Sequence, residues 1–525
     1  MKYKIIFLTI LIAAIFLRTY KLDTIPPSLN WDEAAIAWNG FSIGKTHLDE
    51  YGTKFPLVFR SFGDFKAPGL IYVLAILTRI FGLSIWTIRL PVALAGIATV
   101  VLSYLLAIEI SKNLKLSKSN KKYFPILAMG LMSFNYWNIF FSRGAFEAML
   151  ALSLTMLGVW LFLISVKKTY LLPISYLSFL GAMYSYHSPK IFIPLFGLVL
   201  LILYTKDILK NLTKVKYSII LLLTGLGLAL YCTIPLLKVS FIEKGSGRLD
   251  TSIFYDDKNQ AKPINFSIAL NFTNNYLFHL DPGFLLFGGN LENYRTELKN
   301  TGKITIIEYI FLIIGIIYLI KVKNKIAKLL LFWLLIGVIP AAIGKEVPHA
   351  IRSLNMLPAI IFISSLGFIY VWPKIAKQKL LLGLIVAVYI LQFSFFIKDY
   401  FVQFPVYAAS DWQYGMEEVT KIAHQYENQI DKIIITTHYS QPHVLTYVYQ
   451  KKNPIDVIYG LMGQKYQFRE INWEGDQFCK SCLLIGTEQE IPQEFPGDIA
   501  NLISETKFPD GSVAFRIIKT KNENN

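Results

Sequence analysis

The chain has 525 residues, of which 54% are hydrophobic and only 17% charged, with a mean hydropathy of +0.45 and a formal net charge of +17. That balance excludes an ordinary soluble domain, and long apolar runs separated by lysine clusters mark a polytopic membrane protein. The positive charge does not point to nucleic acid, because the lysines are divided among short loops between apolar segments, as the positive-inside pattern requires.

Residues 5–17 are apolar and follow Lys2 and Lys4. No small-residue cleavage site precedes Arg18-Thr19-Tyr20, so the segment reads as a retained first span with a cytoplasmic N-terminus rather than a signal peptide. Just beyond it lies Asn30-Trp31-Asp32-Glu33-Ala34, after Pro26-Pro27 and before an amphipathic run from Ala34 to Ile43. Asn30 is a good helix N-cap, and Asp32 and Glu33 fall in the first turn, with Glu33 at the capping-box position. The helix dipole alone favours acids there, so both carboxylates have a structural explanation before any chemistry is considered.

Two apolar runs follow, at 69–82 and 85–108. Counting both as spans places Lys112, Lys115, Lys118, Lys121 and Lys122 outside; counting only the second places them inside. The first run is shorter than the roughly 20 residues a crossing needs, so 69–82 is expected to be interfacial or re-entrant, and residues 18–84 form one external loop carrying Asp32-Glu33. The remaining spans are expected at 123–141, 147–166, 170–187, 190–205, 217–239, 304–320, 329–344, 351–372 and 380–397, eleven in all. With the N-terminus inside and the C-terminus outside, the inner loops take Lys167-Lys168, then Lys206, Lys210, Lys214 and Lys216, then Lys321, Lys323, Lys325 and Lys328, and finally Lys374, Lys377 and Lys379. A polar, aromatic loop at 240–303 carries Asp256-Asp257 and an Asp281-Pro282-Gly283 turn. The tail at 398–525 reads as a soluble α/β domain: a helical pattern from Trp412 to Tyr426, a strand at Lys432–Thr436, a second helix at 442–450 and strands at 482–486 and 513–519. The tail has no glycine-rich phosphate loop or triad, which suits support or acceptor recognition. Cys479-Lys480-Ser481-Cys482 lacks the second pair of a zinc ribbon, leaving a local disulfide or two free thiols. Cys232, inside an apolar run, reads as a packing residue.

This topology gathers four groups at the outer face: Asp32-Glu33, Ser142 to Glu147 with Arg143, His187-Ser188-Pro189-Lys190, and Lys345 to Arg352 with His349. Taken singly, each has a plain explanation: a helix-start acid for Glu147, and snorkelling for Lys190 and Arg352. Together they suit a reaction on a lipid-linked phosphate whose tail stays in the bilayer. Basic side chains would hold the phosphate by charge-assisted hydrogen bonds and stabilise its charge as it leaves. A carboxylate would accept the proton of an attacking hydroxyl.

Over residues 1–400 the sequence resembles the GT-C superfamily of polyprenyl-phosphate-sugar glycosyltransferases, in the branch of protein O-mannosyltransferases and lipid A aminoarabinose transferases. The stretches that carry the resemblance are Trp31-Asp32-Glu33, Asp64-Phe65-Lys66-Ala67-Pro68-Gly69-Leu70-Ile71-Tyr72, Arg89-Leu90-Pro91, Ser142-Arg143 with Glu147, and Arg352 with Leu357-Pro358. Two departures stand out: Lys66-Ala67-Pro68 replaces a His-Pro-Pro-like segment, and Glu147 stands where aspartate is common. The resemblance implies a GT-C fold of about eleven spans at 1–397 with an extracytoplasmic α/β domain at 398–525. It also implies an inverting transfer to protein, lipid A or another envelope glycan at the outer face of a plasma membrane. Asp32 would be the base, with Glu33 and Arg143 supporting it and Glu147 a second acid. Arg352, Lys190, His349 and Lys66 would meet the donor phosphate, with no catalytic metal and no cofactor. A flippase for a lipid-linked glycan is the alternative, but transporters place ionisable groups near the bilayer midplane and repeat their halves, and neither feature is seen. A mere anchor for the tail would not need eleven spans.

Overall fold

The structure, a computed structural model, describes residues 2–212, 218–241, 252–255, 262–263, 265–288, 293–497 and 499–521. Lys214, Lys216, Asp256 and Asp257 lie outside the described residues.

The chain is mostly helical. Helix α1 (Lys2–Thr19) leads to α2 (Trp31–Thr46), a two-stranded hairpin of β1 (Phe59–Ser61) and β2 (Asp64–Lys66), and α3 (Pro68–Phe81). A bundle follows: α4 (Ile85–Lys112), α5 (Lys118–Phe134), α6 (Tyr136–Phe141), α7 (Glu147–Ser165), α8 (Leu172–Ser185), α9 (Ser188–Leu212) and α10 (Ser218–Phe241). After α11 (Phe266–Phe278) and α12 (Pro282–Phe287), the bundle resumes with α13 (Ile306–Val322), α14 (Lys325–Ala342), α15 (Leu357–Ile375) and α16 (Lys379–Lys398). By length and apolar composition, six of the described helices can cross a membrane: α4, α7, α9, α14, α15 and α16. Their lysine-bearing ends meet at one end of the bundle, where Asn324 Nδ2 donates to the Asn113 carbonyl and Lys325 pairs with Asp207 at 2.6 Å.

Several element boundaries differ from those read in the sequence. The run 123–141 is two helices, because Asn135 leaves the helical conformation and caps α6, its side chain accepting from Asn138 N and donating to the Lys303 carbonyl. Helix α9 has 25 residues, longer than the span expected at 190–205. The span expected from 351 begins at Leu354, with one 3-10 turn (Leu354–Met356) leading into α15, and Ile351 and Arg352 stand in the turns before it, where they line a cavity.

α2 starts where its cap residues direct. Asn30 accepts from Glu33 N, and the Glu33 side chain returns to Asn30 N, so both halves of the capping box are present. The helix then packs closely on α3 because it has no side chains at Gly40 and Gly44. A Cβ there would lie 2.7 Å from Leu74 Cβ and 2.6 Å from the Ala75 carbonyl oxygen. α3 has 14 residues and leaves Ile76, Ile80 and Phe81 exposed on its other face.

The C-terminal α/β domain has a five-stranded sheet of order β4-β3-β5-β7-β6, made from β3 (Lys432–Ile435), β4 (Tyr466–Phe468), β5 (Cys482–Gly486), β6 (Ala500–Lys507) and β7 (Val513–Thr520). β3 runs parallel to β4 and β5, and β7 antiparallel to β5 and β6. The sequence reading missed β4, which is only three residues long, and β6, whose run Asn501 to Lys507 is too polar to show a buried period. A short α17 (Phe404–Tyr407) precedes α18 (Met416–Tyr426), so Trp412 stands in the turn before the helix rather than within it, and Gly415 at φ +90 redirects the chain. Cys479 and Cys482 are joined as a disulfide. Helix α19 (Pro442–Tyr449) docks on α2, with Tyr447 5.2 Å from the Trp38 ring.

Candidate active site

The two acids at the start of α2 have opposite environments. Glu33 is 1% exposed and both its carboxylate oxygens are occupied. Oε1 accepts from Ala145 N at 2.6 Å and Arg89 Nε at 3.1 Å; Oε2 accepts from Arg89 Nη2 at 3.0 Å and from Asn30 N at 3.3 Å. Arg89 is equally buried and also donates to the carbonyls of Leu22, Pro26 and Ser28. This ion pair ties the segment before α2, the first turns of α4 and the turn before α7 into one knot.

Successive residues project about 100° apart on a helix, so burying Glu33 turns Asp32 outward. Asp32 is 38% exposed, with Lys66 Nζ 2.5 Å from Oδ1 and Arg295 Nη1 3.5 Å from Oδ2. The Arg295 guanidinium lies over the Trp31 ring, 4.1 Å from its centre, which helps to hold it beside the carboxylate. Asp32 opens into a cavity of about 450 Å³ whose walls include Glu33, Asp64, Lys66, Glu147, Tyr186, Asn293, Arg295, Glu346, His349 and Arg352.

The loop on the far wall is anchored from below. Asn275 Nδ2 donates to the carbonyls of Ala342 and Gly344, and His279 Nε2 accepts from His349 N at 2.9 Å. Gly344 lies beneath the Arg352 guanidinium, where a side chain would collide with it. Glu346 Oε2 sits 3.5 Å from Arg352 and 3.6 Å from His349. His279 is fully buried and its Nδ1–H donates to the Asn275 carbonyl, leaving Nε2 as acceptor. Burial first, and the Arg352 charge as well, push its pKa down to about 4. The folded state therefore binds the His279 proton less readily than the unfolded chain. Its contribution to stability is present above pH 6.5 and is lost as the pH falls towards 4, with a slope of at most about 1.4 kcal/mol per pH unit. Unfolding midpoints recorded from pH 7 to pH 4.5 should drop more steeply for the wild type than for His279→Gln, which keeps a neutral acceptor.

The cavity brings together Asp32, Glu33, Glu147, Lys66, His349 and Arg352. It does not include Arg143 or Lys190. Arg143, expected to support the base, is fully buried behind it and donates to the carbonyls of Leu17, Tyr20, Lys21 and Ile25, closing off the end of α1. Its Nη1 and Nη2 donors are thus taken up by backbone oxygens. Lys190 lies in the first turn of α9, outside the cavity wall. Glu33 lines the floor, but Arg89 and two backbone amides engage its carboxylate. The sequence reading missed Arg295 altogether; a basic residue in an external loop was the available signal. Among the described residues, no three His, Cys, Asp or Glu side chains converge in a metal-ligating group.

No family model matches the chain, and no curated protein matches its sequence. Among solved structures, ArnT from Cupriavidus metallidurans in the apo state aligns with 99% of this chain and 97% of its own, at 12% identity and a TM-score of 0.52. ArnT bound to undecaprenyl phosphate aligns with 100% and 98%, at 11% identity and a TM-score of 0.52. The oligosaccharyltransferase of Archaeoglobus fulgidus tethered with an acceptor peptide covers 93% of this chain and 69% of its own, at 10% identity and a TM-score of 0.49. At such identities the likeness to ArnT is one of architecture: the chain is a multi-pass membrane protein with the GT-C fold.

Proposed function

We propose that this GT-C chain is an inverting glycosyltransferase that moves a sugar from a polyprenyl-phosphate donor to an acceptor hydroxyl at the extracytoplasmic face of the plasma membrane. The observation that carries the reading is Asp32, a carboxylate in a cavity at the end of the bundle opposite the lysine clusters, flanked by cations from separate segments. The acceptor oxygen attacks the anomeric carbon from the face opposite the phosphate, and Asp32 takes the hydroxyl proton. The bond between the anomeric carbon and the phosphate oxygen breaks, and its electron pair leaves with the polyprenyl phosphate. Lys66, Arg295 and Arg352, with His349, meet that charge, and Glu147 borders the acceptor side. Side chains supply the charge compensation in this scheme, without a metal ion. Binding of undecaprenyl phosphate by the ArnT of like fold supports a polyprenyl phosphate as carrier. Two observations support the orientation: the lysine-bearing loops lie at the other end, and the disulfide in the tail suits an oxidising compartment. Residues 1–397 are then the membrane-embedded catalytic domain, and 398–525 the extracytoplasmic domain.

Mass spectrometry of envelope lipids and proteins from cells with and without the active protein tests this directly. A pentose or hexose adduct present only with the active protein is the expected result, and it also identifies the acceptor. Donor crossing the bilayer with no glycoside formed would replace the reading with a flippase. In a reconstituted assay, Arg352→Ala is expected to raise the donor KM roughly 10- to 100-fold, the range for losing a charged hydrogen bond, with little change in KM for the acceptor.

A further inference from the structure

We infer that the turn Asp411-Trp412-Gln413, at the entrance to the C-terminal domain, is a positioning element for the Asp32–Arg295 pair, with Gln413 as its key residue. The inference rests on the reading that Arg295 meets the donor phosphate beside Asp32. The turn holds the residue preceding each partner. Gln413 Oε1 accepts from Trp31 N at 2.9 Å, one of the amides that a helix start leaves without an intrahelical acceptor. Asp411 Oδ2 accepts from Tyr294 N at 3.0 Å, and Trp412 Nε1 donates to the Tyr294 carbonyl at 3.1 Å. Both backbone groups of Tyr294 are thus set by this turn, and the next residue is Arg295. One short segment of the tail therefore fixes the distance between two elements, α2 and the loop before α13, that are 263 residues apart at the Asp32–Arg295 contact.

The turn is built for this rather than for solvent. Trp412 and Gln413 are 0% and 1% exposed, and Gln413 Nε2 donates to the Tyr439 carbonyl at 3.1 Å, anchoring the side chain to the C-terminal domain. Gln413 also adopts φ +45, a left-handed conformation in which glycine would be more comfortable. A residue kept for backbone shape alone would be better as glycine. The side chain, bridging Tyr439 and Trp31, accounts for glutamine there.

The full-length protein in detergent or nanodiscs tests this with farnesyl phosphate, a short soluble isoprenyl phosphate, as the probe. Gln413→Gly is expected to bind farnesyl phosphate about tenfold more weakly, the scale of a lost buried hydrogen bond, while relief of the left-handed backbone offsets part of the stability lost with the bonds to Trp31 and Tyr439. In an Arg295→Met background the same substitution should have no further effect, because the element acts through Arg295. Trp412→Phe keeps an aromatic ring, though a smaller one, and deletes the donor to Tyr294, so it should show a similar non-additive loss even if Gln413→Gly folds poorly. Wild-type binding by both variants, or losses that add in full to that of Arg295→Met, would overturn the assignment. Sugar transfer by Asp32→Asn separates the two readings: retained transfer would remove Asp32 as base yet leave the binding cycle standing, whereas an additive cycle would remove the clamp and leave the base.

Discussion

Asp32→Asn is expected to lower sugar transfer by about 10²–10⁴-fold, the range general-base catalysis supplies, while the protein folds, inserts and is extracted as the wild type is. The substitution keeps the shape and the helix-start position but removes the proton acceptor. Asp32 is 38% exposed and plays no part in the capping box, which Asn30 and Glu33 complete between themselves. The loss therefore belongs in kcat, with only a small drop in the unfolding midpoint, since asparagine keeps an acceptor for the buried Lys66. Donor affinity should stay level or rise, since Lys66 and Arg295 then have a weaker competitor for the phosphate. Turnover at the wild-type rate would remove Asp32 from the mechanism.

Glu33→Ala should do the reverse, damaging the fold rather than the chemistry. It strands the Arg89 guanidinium, which is fully buried, without its counter-charge. Removing one partner of such a pair costs about 3–5 kcal/mol. It also leaves Ala145 N without its acceptor and undoes half of the capping box. Low yield and a sharply lowered unfolding midpoint in detergent are expected. A double substitution to Glu33→Met with Arg89→Met should be milder in its charge component, because no unpaired ion remains. It would still be destabilised, since the carbonyls of Leu22, Pro26 and Ser28 lose the donors Arg89 supplies. A Glu33→Ala protein of wild-type stability and lost activity would instead make Glu33 part of the chemistry.

Set side by side, the two substitutions ask what a neighbouring pair of acids does. Chemically alike and adjacent in the chain, they share one turn of one helix. One serves the architecture, and the other faces the cavity. The arrangement also shows why a cap and an open carboxylate coexist at this helix start: Glu33 completes the capping box and the knot with Arg89, and the resulting helix orientation turns Asp32 to the cavity.

Much of this architecture was legible in the residues. Apolar runs of adequate length, lysines confined to alternate loops and the 14-residue run before α4 are local or periodic signals, readable from hydropathy and charge. Asn30 and Glu33 announced the start of α2 because a capping box is a four-residue motif. The break at Asn135 was also written locally, but it was hidden within an apolar run, where an asparagine that caps a second helix looks like a tolerated polar residue. β6 escaped notice because a strand whose partner covers only one side carries a polar sequence.

By itself, then, the sequence determined the membrane class, the start of α2 and the presence of two acids in its first turn. The tertiary structure decided which acid opens to the cavity. That choice depends on Arg89 and Ala145 on one side of the helix and on Lys66 and Arg295 on the other, at separations of 56, 112, 34 and 263 residues. The same is true of Arg143, whose place beside Glu147 in sequence suggested chemistry but whose donors close the end of α1. Local patterns encode caps, periods and lengths because those depend on neighbours a turn or two away. Pairing between distant segments follows from packing, and only the folded chain shows which charge meets which.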